Sequence, residues 1–125
     1  MPPDTILLRE GDDTGIFAVI TRGRVALRMR VPERGQMTIL TVEPGDVVGW
    51  SSVVPPHRST STAVTVEETR LLVFEARTLR GLLDSDLALA ATLYPRLLEA
   101  IGRRLSATRQ QLLDLYAQQS DPVPW

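Results

Sequence analysis

Short apolar runs separated by turn residues occupy the chain up to residue 74, and this pattern predicts a fold of short β-strands. The alternation of apolar and polar residues is clearest over residues 24–31, where it gives one core face and one solvent face. Arg22 and Gly23 stand before this run and predict a tight hairpin with a strand at residues 15–21. Many short strands at regular spacing favour an antiparallel sandwich or small barrel. The other predicted strands are residues 5–9, 37–42, 61–66 and 70–74.

Beyond residue 75 the spacing of apolar residues changes to that of helices. Leu79, Leu82 and Leu83 fit one face of a short amphipathic helix, which residues 84–86 break and cap. From about residue 87 to residue 119 the pattern is helical, and Pro95 is its one serious interruption, so we expect either a kink or two abutting helices there. Residues 120–125 contain two prolines and are expected to form a loose tail.

The long helix carries a heptad seam. Apolar residues recur along it at alternating spacings of four and three, interrupted once by Thr108. The ~25 residues after Pro95 would form a helix ~37 Å long, which exceeds what a small barrel can cover. The seam could instead pack on the helix's own β-domain, but its length favours a homodimer through residues 95–119. The predicted interface residues are Leu98, Ile101, Leu105, Leu112 and Leu115.

Composition narrows the class of protein. A chain of 125 residues with 43% hydrophobic residues fits one globular domain with a single core. Its net charge of -1 gives no support to nucleic-acid binding. The absence of cysteine excludes disulfides, thiolate catalysis and cysteine metal sites. Because no apolar run approaches the ~20 residues of a membrane span and no secretory signal is evident, we expect a cytoplasmic location.

Residues 43–60 combine the features of a small-anion receptor. They predict a strand, a glycine turn and a short helical turn opened by small residues. Backbone N–H groups at the start of such a turn attract an anion, and Arg58 adds a planar charged fork that matches phosphate oxygens. The hydroxyls of Ser51, Ser52 and Ser59 can donate further hydrogen bonds.

Within this segment, Gly49, Ser52, Arg58 and Ser59 resemble the phosphate-binding cassette of the cyclic nucleotide-binding domain, the sensor half of catabolite activator proteins. The resemblance extends over about residues 5–116. It implies a mainly β fold with α: a double-stranded β-helix (jelly-roll, cupin-like) barrel followed by a short helix and a long C-terminal helix. The implied boundaries are a cyclic nucleotide-binding-like domain at 1–119, with a β-roll at 5–75, a cassette at 45–60, helices at 76–119 and a tail at 120–125.

The resemblance also implies a ligand and its contacts. The pocket would lie between barrel and long helix and would take a cyclic nucleotide, cyclic AMP or cyclic GMP, or another small phosphate-like anion. The Ser52 N–H and Arg58 would meet the phosphate, and Thr108 matches the threonine that contacts adenine in the activators. The candidate ligand-binding residues are Gly49, Trp50, Ser51, Ser52, Arg58, Ser59, Thr108 and Arg109.

Two positions depart from the family pattern. Trp50 stands where the family usually places a glutamate that accepts hydrogen bonds from the ribose, and an indole has only an N–H donor. Losing a hydrogen bond to a charged group costs roughly 1.5–3 kcal/mol. Trp50 therefore has three interpretations: it fills the sugar pocket, it forms an aromatic wall for a different anionic ligand, or it belongs to the core. Arg109 stands where the activators use a small hydroxyl residue.

The remaining chemistry predicts neither catalysis nor a metal site. His57 is the lone histidine and is expected on a surface turn, and the serines near it lack an activating base. The surroundings of Arg58 indicate whether the cassette holds an anion. Because a buried guanidinium without an anion is costly, an empty cassette predicts an internal carboxylate partner or an exposed side chain.

Two functions remain open at this point. The first is a sensory or regulatory domain related to Crp-Fnr type transcription regulators, with an altered ribose subsite. The second is a degenerate domain that binds no ligand and serves as a dimerisation or protein-interaction module. In the activators a helix-turn-helix follows the long helix, and we expect no DNA-binding element within this chain, so such an element would belong to a longer parent or a partner.

Overall fold

The computed structural model describes residues 1–119, and the predicted tail at 120–125 lies outside them. The described residues form short strands, one turn of 3-10 helix at Trp50–Ser52, and two α-helices. The strands are β1 (Ile6–Leu8), β2 (Ile16–Arg22), β3 (Val25–Val31), β4 (Gly35–Val42), β5 (Val47–Val48), β6 (Thr62–Thr65) and β7 (Arg70–Glu75). The helices are α1 (Ala76–Ser85) and α2 (Leu87–Gln119).

The strands form two antiparallel sheets. One has the order β1-β6-β3-β4 and the other the order β5-β2-β7. Strands that follow each other in the chain are often in different sheets, as in a jelly roll, and the two helices come last. The predicted fold class, a jelly-roll barrel followed by a short and a long helix, is confirmed.

The predicted hairpin between β2 and β3 is wrong. β2 pairs with β5 and β7, whereas β3 pairs with β4 and β6, so the chain crosses between sheets at Gly23. Gly23 has φ of 90°, and a Cβ there would lie 2.5 Å from the carbonyl oxygen of Glu68. The buried Thr69 hydroxyl donates to the Glu67 carbonyl at 2.8 Å and supports this corner. A tight glycine turn therefore marks a corner of the roll, and only the pairing distinguishes the two.

β2 divides the core because its side chains alternate between two faces. Ala18 and Ile20 belong to the cluster between the two sheets. Phe17 and Val19 face the opposite way, into a cluster with Leu79 of α1 and Leu97 of α2. The three-stranded sheet is thus covered by the second sheet on one face and by the helices on the other.

α2 runs as one helix through Pro95, and the two abutting helices that were an alternative are not formed. Its 33 residues span about 50 Å. Pro95 has no N–H to donate to the carbonyl of Ala91, but Ala91 is exposed, so water can satisfy that carbonyl. Within residues 1–119, neither helix has the length and apolar character needed to cross a membrane.

Candidate functional site

The loop after β5 is fixed by Gly49. This residue has φ of 82° and ψ of 33°, a conformation that favours glycine, and a Cβ would lie 2.2 Å from the Ile16 carbonyl oxygen. The turn of 3-10 helix starts directly after it, and the Ser52 N–H donates to the Gly49 carbonyl at 2.9 Å. The amide that the family resemblance assigns to a phosphate is therefore used inside the turn.

Three buried hydroxyls beside this turn bond to one another. The Thr14 hydroxyl lies 2.6 Å from that of Ser51 and 3.0 Å from that of Ser59. The open space next to Ser51 and Ser59 is only about 10 Å³, which is room for about one water molecule. We call this space the closed recess, and a phosphate group does not fit into it.

Ser52 and His57 make further contacts that fix the loop. The Ser52 side chain is fully buried and lines neither the closed recess nor the larger cavity described below, while its carbonyl accepts a hydrogen bond from Arg80 at 2.7 Å. His57 is half-buried, and its Nδ1 lies 3.0 Å from the Ser51 carbonyl oxygen. His57 closes the turn over the two prolines, as expected, because its backbone N–H donates to the Val54 carbonyl at 3.1 Å, and its ring also contributes to the internal structure of the loop.

Arg58 is not brought to the hydroxyls. Its side chain is exposed, and its guanidinium donates to the carbonyl of Gly11 at 3.0 Å. The backbone of Arg58 bridges to Asp13 in an extended conformation, which directs successive side chains to opposite sides. Ser59 consequently points inward and Arg58 outward, the arrangement that an empty cassette predicts.

A second, larger cavity lies between α2, β3 and β4. Its volume is about 350 Å³, within the range of small-molecule sites in proteins. Apolar side chains dominate its lining, together with three hydroxyl residues and one arginine. The lining residues are Leu27, Met29, Ile39, Leu40, Trp50, Thr60, Ser61, Ile101, Arg104, Leu105 and Thr108.

Trp50 and Thr108 both lie on the wall of this cavity. Trp50 is half-buried, lines both the closed recess and the larger cavity, and packs against the cluster around Phe17, so it does not point away from the cassette. It leaves the large cavity open. The Thr108 hydroxyl donates to the Arg104 carbonyl at 2.8 Å, whereas Arg109 is exposed and lines neither space.

Arg104 is the charged residue of the cavity, and it was not among the residues predicted from the sequence to bind a ligand. It lines both the cavity and the closed recess, and its guanidinium donates to the Val47 carbonyl. Desolvation lowers the pKa of Arg104, an effect that the nearby charge of Asp46 opposes and that of Arg103 increases. Its position could have been inferred from spacing, because Ile101, Arg104 and Thr108 follow one another at three and four residues on α2.

The predicted seam is largely exposed. Leu98, Leu105 and Leu112 are 70%, 61% and 55% exposed, and Leu115 is 42% exposed. Ile101 is the exception, since it is half-buried and lines the cavity. The seam therefore runs directly past the mouth of the cavity.

Comparison with known proteins now identifies the family. The family model of the cyclic nucleotide-binding domain matches residues 1–86. The chain belongs to the cyclic nucleotide-binding domain family. It is also 28% identical over 114 residues to the CRP-like cAMP-activated global transcriptional regulator of Mycobacterium tuberculosis, a match that covers 91% of this chain and 49% of that protein. The chain thus spans about half the length of the curated relatives that it matches.

Solved structures agree with this assignment. A cyclic nucleotide-binding domain from Methylobacillus flagellatus is similar with a TM-score of 0.81 and 26% identity, over 90% of this chain and 64% of that one. The catabolite activator protein of Thermus thermophilus is similar with a TM-score of 0.69 and 25% identity, over 94% of this chain and 53% of that one. Among residues 1–119 of this cyclic nucleotide-binding domain, no group of three or more potential metal-ligating side chains occurs.

Proposed function

We propose that this cyclic nucleotide-binding domain is the non-enzymatic, small-molecule-sensing part of a CRP-like regulator, with its ligand in the cavity between the roll and α2. The observation that carries the proposal is the cavity of about 350 Å³. Trp50 lines it on the side of the roll, and Arg104 and Thr108 line it on the side of α2. A ligand there touches both parts of the domain at once.

The proposed output is the seam on α2. Leu105 lines the cavity and is also 61% exposed on the seam, so one side chain meets both the ligand and a second copy of the helix. A ligand that binds one arrangement of the paired helices better than another shifts the population toward it. In this proposal the domain is a homodimer through α2, and the arrangement of the two helices is the signal.

In this proposal the cassette residues have a structural role and not the phosphate-binding role that the resemblance implies. Gly49, Ser51, Ser52 and Ser59 shape the loop that holds Trp50, and Arg58 stays outside. The hydrogen bonds among the hydroxyls and the small size of the closed recess support this assignment. Cyclic AMP and cyclic GMP remain the reference ligands to test, since the Mycobacterium tuberculosis relative is described as cAMP-activated.

A degenerate dimerisation or interaction module is the second candidate. The closed recess of about 10 Å³ favours it, because a domain that has lost its phosphate site needs no ligand. The exposed seam would then be the whole function.

A ligand screen separates the two candidates. Cyclic AMP, cyclic GMP, cyclic dinucleotides and small organic anions would be tested by thermal shift and calorimetry on the native chain and on Met29→Trp, which fills the cavity from β3. The sensor proposal predicts at least one compound that raises the Tm of the native chain but not of Met29→Trp. If no compound raises the Tm of the native chain, the module is favoured.

A further inference from the structure

The larger cavity has a lining that is unsuited to a sugar phosphate. Seven of its eleven lining residues are apolar, and Leu27, Met29 and Ile39 are among those from the roll. The hydroxyls available to a polar ligand are those of Thr60, Ser61 and Thr108, and the last already donates to the helix backbone. Most of the lining therefore offers no hydrogen-bond partner, and ring nitrogens or ribose hydroxyls buried against it would be unfavourable.

One charge interrupts this apolar lining. Arg104 is half-buried at the edge of the cavity, and no carboxylate of the described residues lies within ion-pair distance of it. Its guanidinium has five N–H donors, of which one is recorded in a hydrogen bond, to the Val47 carbonyl. A partly desolvated guanidinium with unused donors is a site for a planar anion that accepts two parallel hydrogen bonds.

We infer that the ligand of this cavity is an amphipathic carboxylate, with an aliphatic or aromatic body against Trp50 and the apolar wall and its carboxylate on Arg104. The inference rests on the sensor function proposed above and names the ligand class of that same cavity. The two oxygens of a carboxylate match the guanidinium fork, and transfer of the apolar body from water into the cavity lowers the free energy. The closed recess and Arg58 take no part in this binding.

Matched probes test the two halves of this assignment. Decanoate and naphthoate carry the apolar body and the carboxylate, decanol carries the body alone, and cyclic AMP carries an anion on a polar body. Calorimetric titration of the native chain is expected to give saturable binding of decanoate or naphthoate, at least about tenfold tighter than that of decanol. Cyclic AMP is expected to bind more weakly than either carboxylate.

Variants on α2 then test whether Arg104 binds the carboxylate of the ligand. Arg104→Met is expected to weaken decanoate binding at least about tenfold and to leave decanol binding unchanged. Arg103→Met is the matched control, because Arg103 is the neighbouring cation but does not line the cavity. Arg104→Gln, which keeps hydrogen-bond donors without the charge, is the second variant in case Arg104→Met folds poorly, and circular dichroism checks both.

The outcomes separate the ligand class from the sensor function. Binding of cyclic AMP without binding of the carboxylates would overturn the inference and leave the sensor function standing. Equal affinity for decanoate and decanol, or equal effects of Arg103→Met and Arg104→Met, would also overturn it. If no probe and no compound of the wider screen binds the native chain, both the inference and the sensor function fail.

Discussion

Gly49 shows how one backbone position decides what the neighbouring loop can do. Its positive φ and its contact with the Ile16 carbonyl turn the chain so that Trp50 reaches the cavity wall and Ser51 reaches Thr14. The same turn uses the Ser52 amide internally. The loop is thus held by hydrogen bonds inside its own turn and by several to residues 11–14 and Arg80.

Replacing Gly49 by alanine is expected to destabilise the domain strongly. Alanine in the left-handed region costs about 1–2 kcal/mol, and the collision with the Ile16 carbonyl adds to it, for a total of about 2–4 kcal/mol. Gly45→Ala is the matched control, because Gly45 also has a positive φ, 94°, but a Cβ there meets no atom within 4 Å. Urea unfolding measures the free energy of unfolding of both variants. Equal losses for the two would show that the contact with the Ile16 carbonyl adds nothing to the cost.

The two neighbouring serines are expected to differ in how much stability alanine costs at each. The Ser52 hydroxyl is buried and, among the described residues, has no hydrogen-bond partner, so Ser52→Ala should leave stability unchanged within about 0.5 kcal/mol or raise it. Ser51→Ala removes the shorter of the two hydrogen bonds of the Thr14 hydroxyl, which keeps its bond to Ser59, and should cost about 0.5–1.5 kcal/mol. Urea unfolding decides between them, and a larger loss for Ser52→Ala would mean that its hydroxyl has a partner that the structure does not show.

α2 contributes to three surfaces along its length: the contact with the roll, the cavity lining and the exposed seam. Leu97 and Ala100 are buried against the roll, Ile101, Arg104 and Leu105 line the cavity, and the remaining seam leucines are exposed. A helix of 33 residues is long enough to do all three, and Gln111 still bonds to the Ile39 carbonyl of β4 at 2.5 Å. The helix therefore connects the cavity to the surface proposed for a second copy.

A charge in the seam is expected to dissociate the proposed dimer. Leu112 is 55% exposed and does not line the cavity, so Leu112→Glu tests the seam without touching the ligand site. Burying an unpaired carboxylate at an interface should raise the dimer Kd at least about a hundredfold. Sedimentation equilibrium measures it, with Gln110→Glu as a control of equal charge off the seam. A monomeric native chain, or an unchanged Kd in Leu112→Glu, would contradict the seam.

The sequence pattern predicts the elements better than it predicts their pairing. Period-two alternation locates β3, and the change of period after residue 75 locates the helices. It does not show that β2 and β3 lie in different sheets, because a glycine corner and a glycine hairpin look alike until Thr69 and Glu68 close around Gly23. Local sequence also favours Arg58 as the anion partner, whereas strand alternation turns Arg58 outward and the fold brings Arg104 from a distant helix.

The whole domain combines a roll, a cavity and a helix that extends beyond both. Its net charge of -1 gives no general attraction for anions, so the field near the cavity comes from a few residues around Arg104. The proposed function and the inferred ligand together assign anion recognition to Arg104 on α2 and not to Arg58 beside the cassette.

Trp50 fluorescence distinguishes these two arginines, in a chain carrying Trp125→Phe so that the cavity tryptophan is observed alone. Decanoate is expected to change its emission saturably, because the indole lines the cavity. Arg58→Gln should leave the midpoint of the titration unchanged, whereas Arg104→Gln should raise it at least about tenfold. A midpoint raised by Arg58→Gln and unaffected by Arg104→Gln would contradict the account and return the anion site to the cassette.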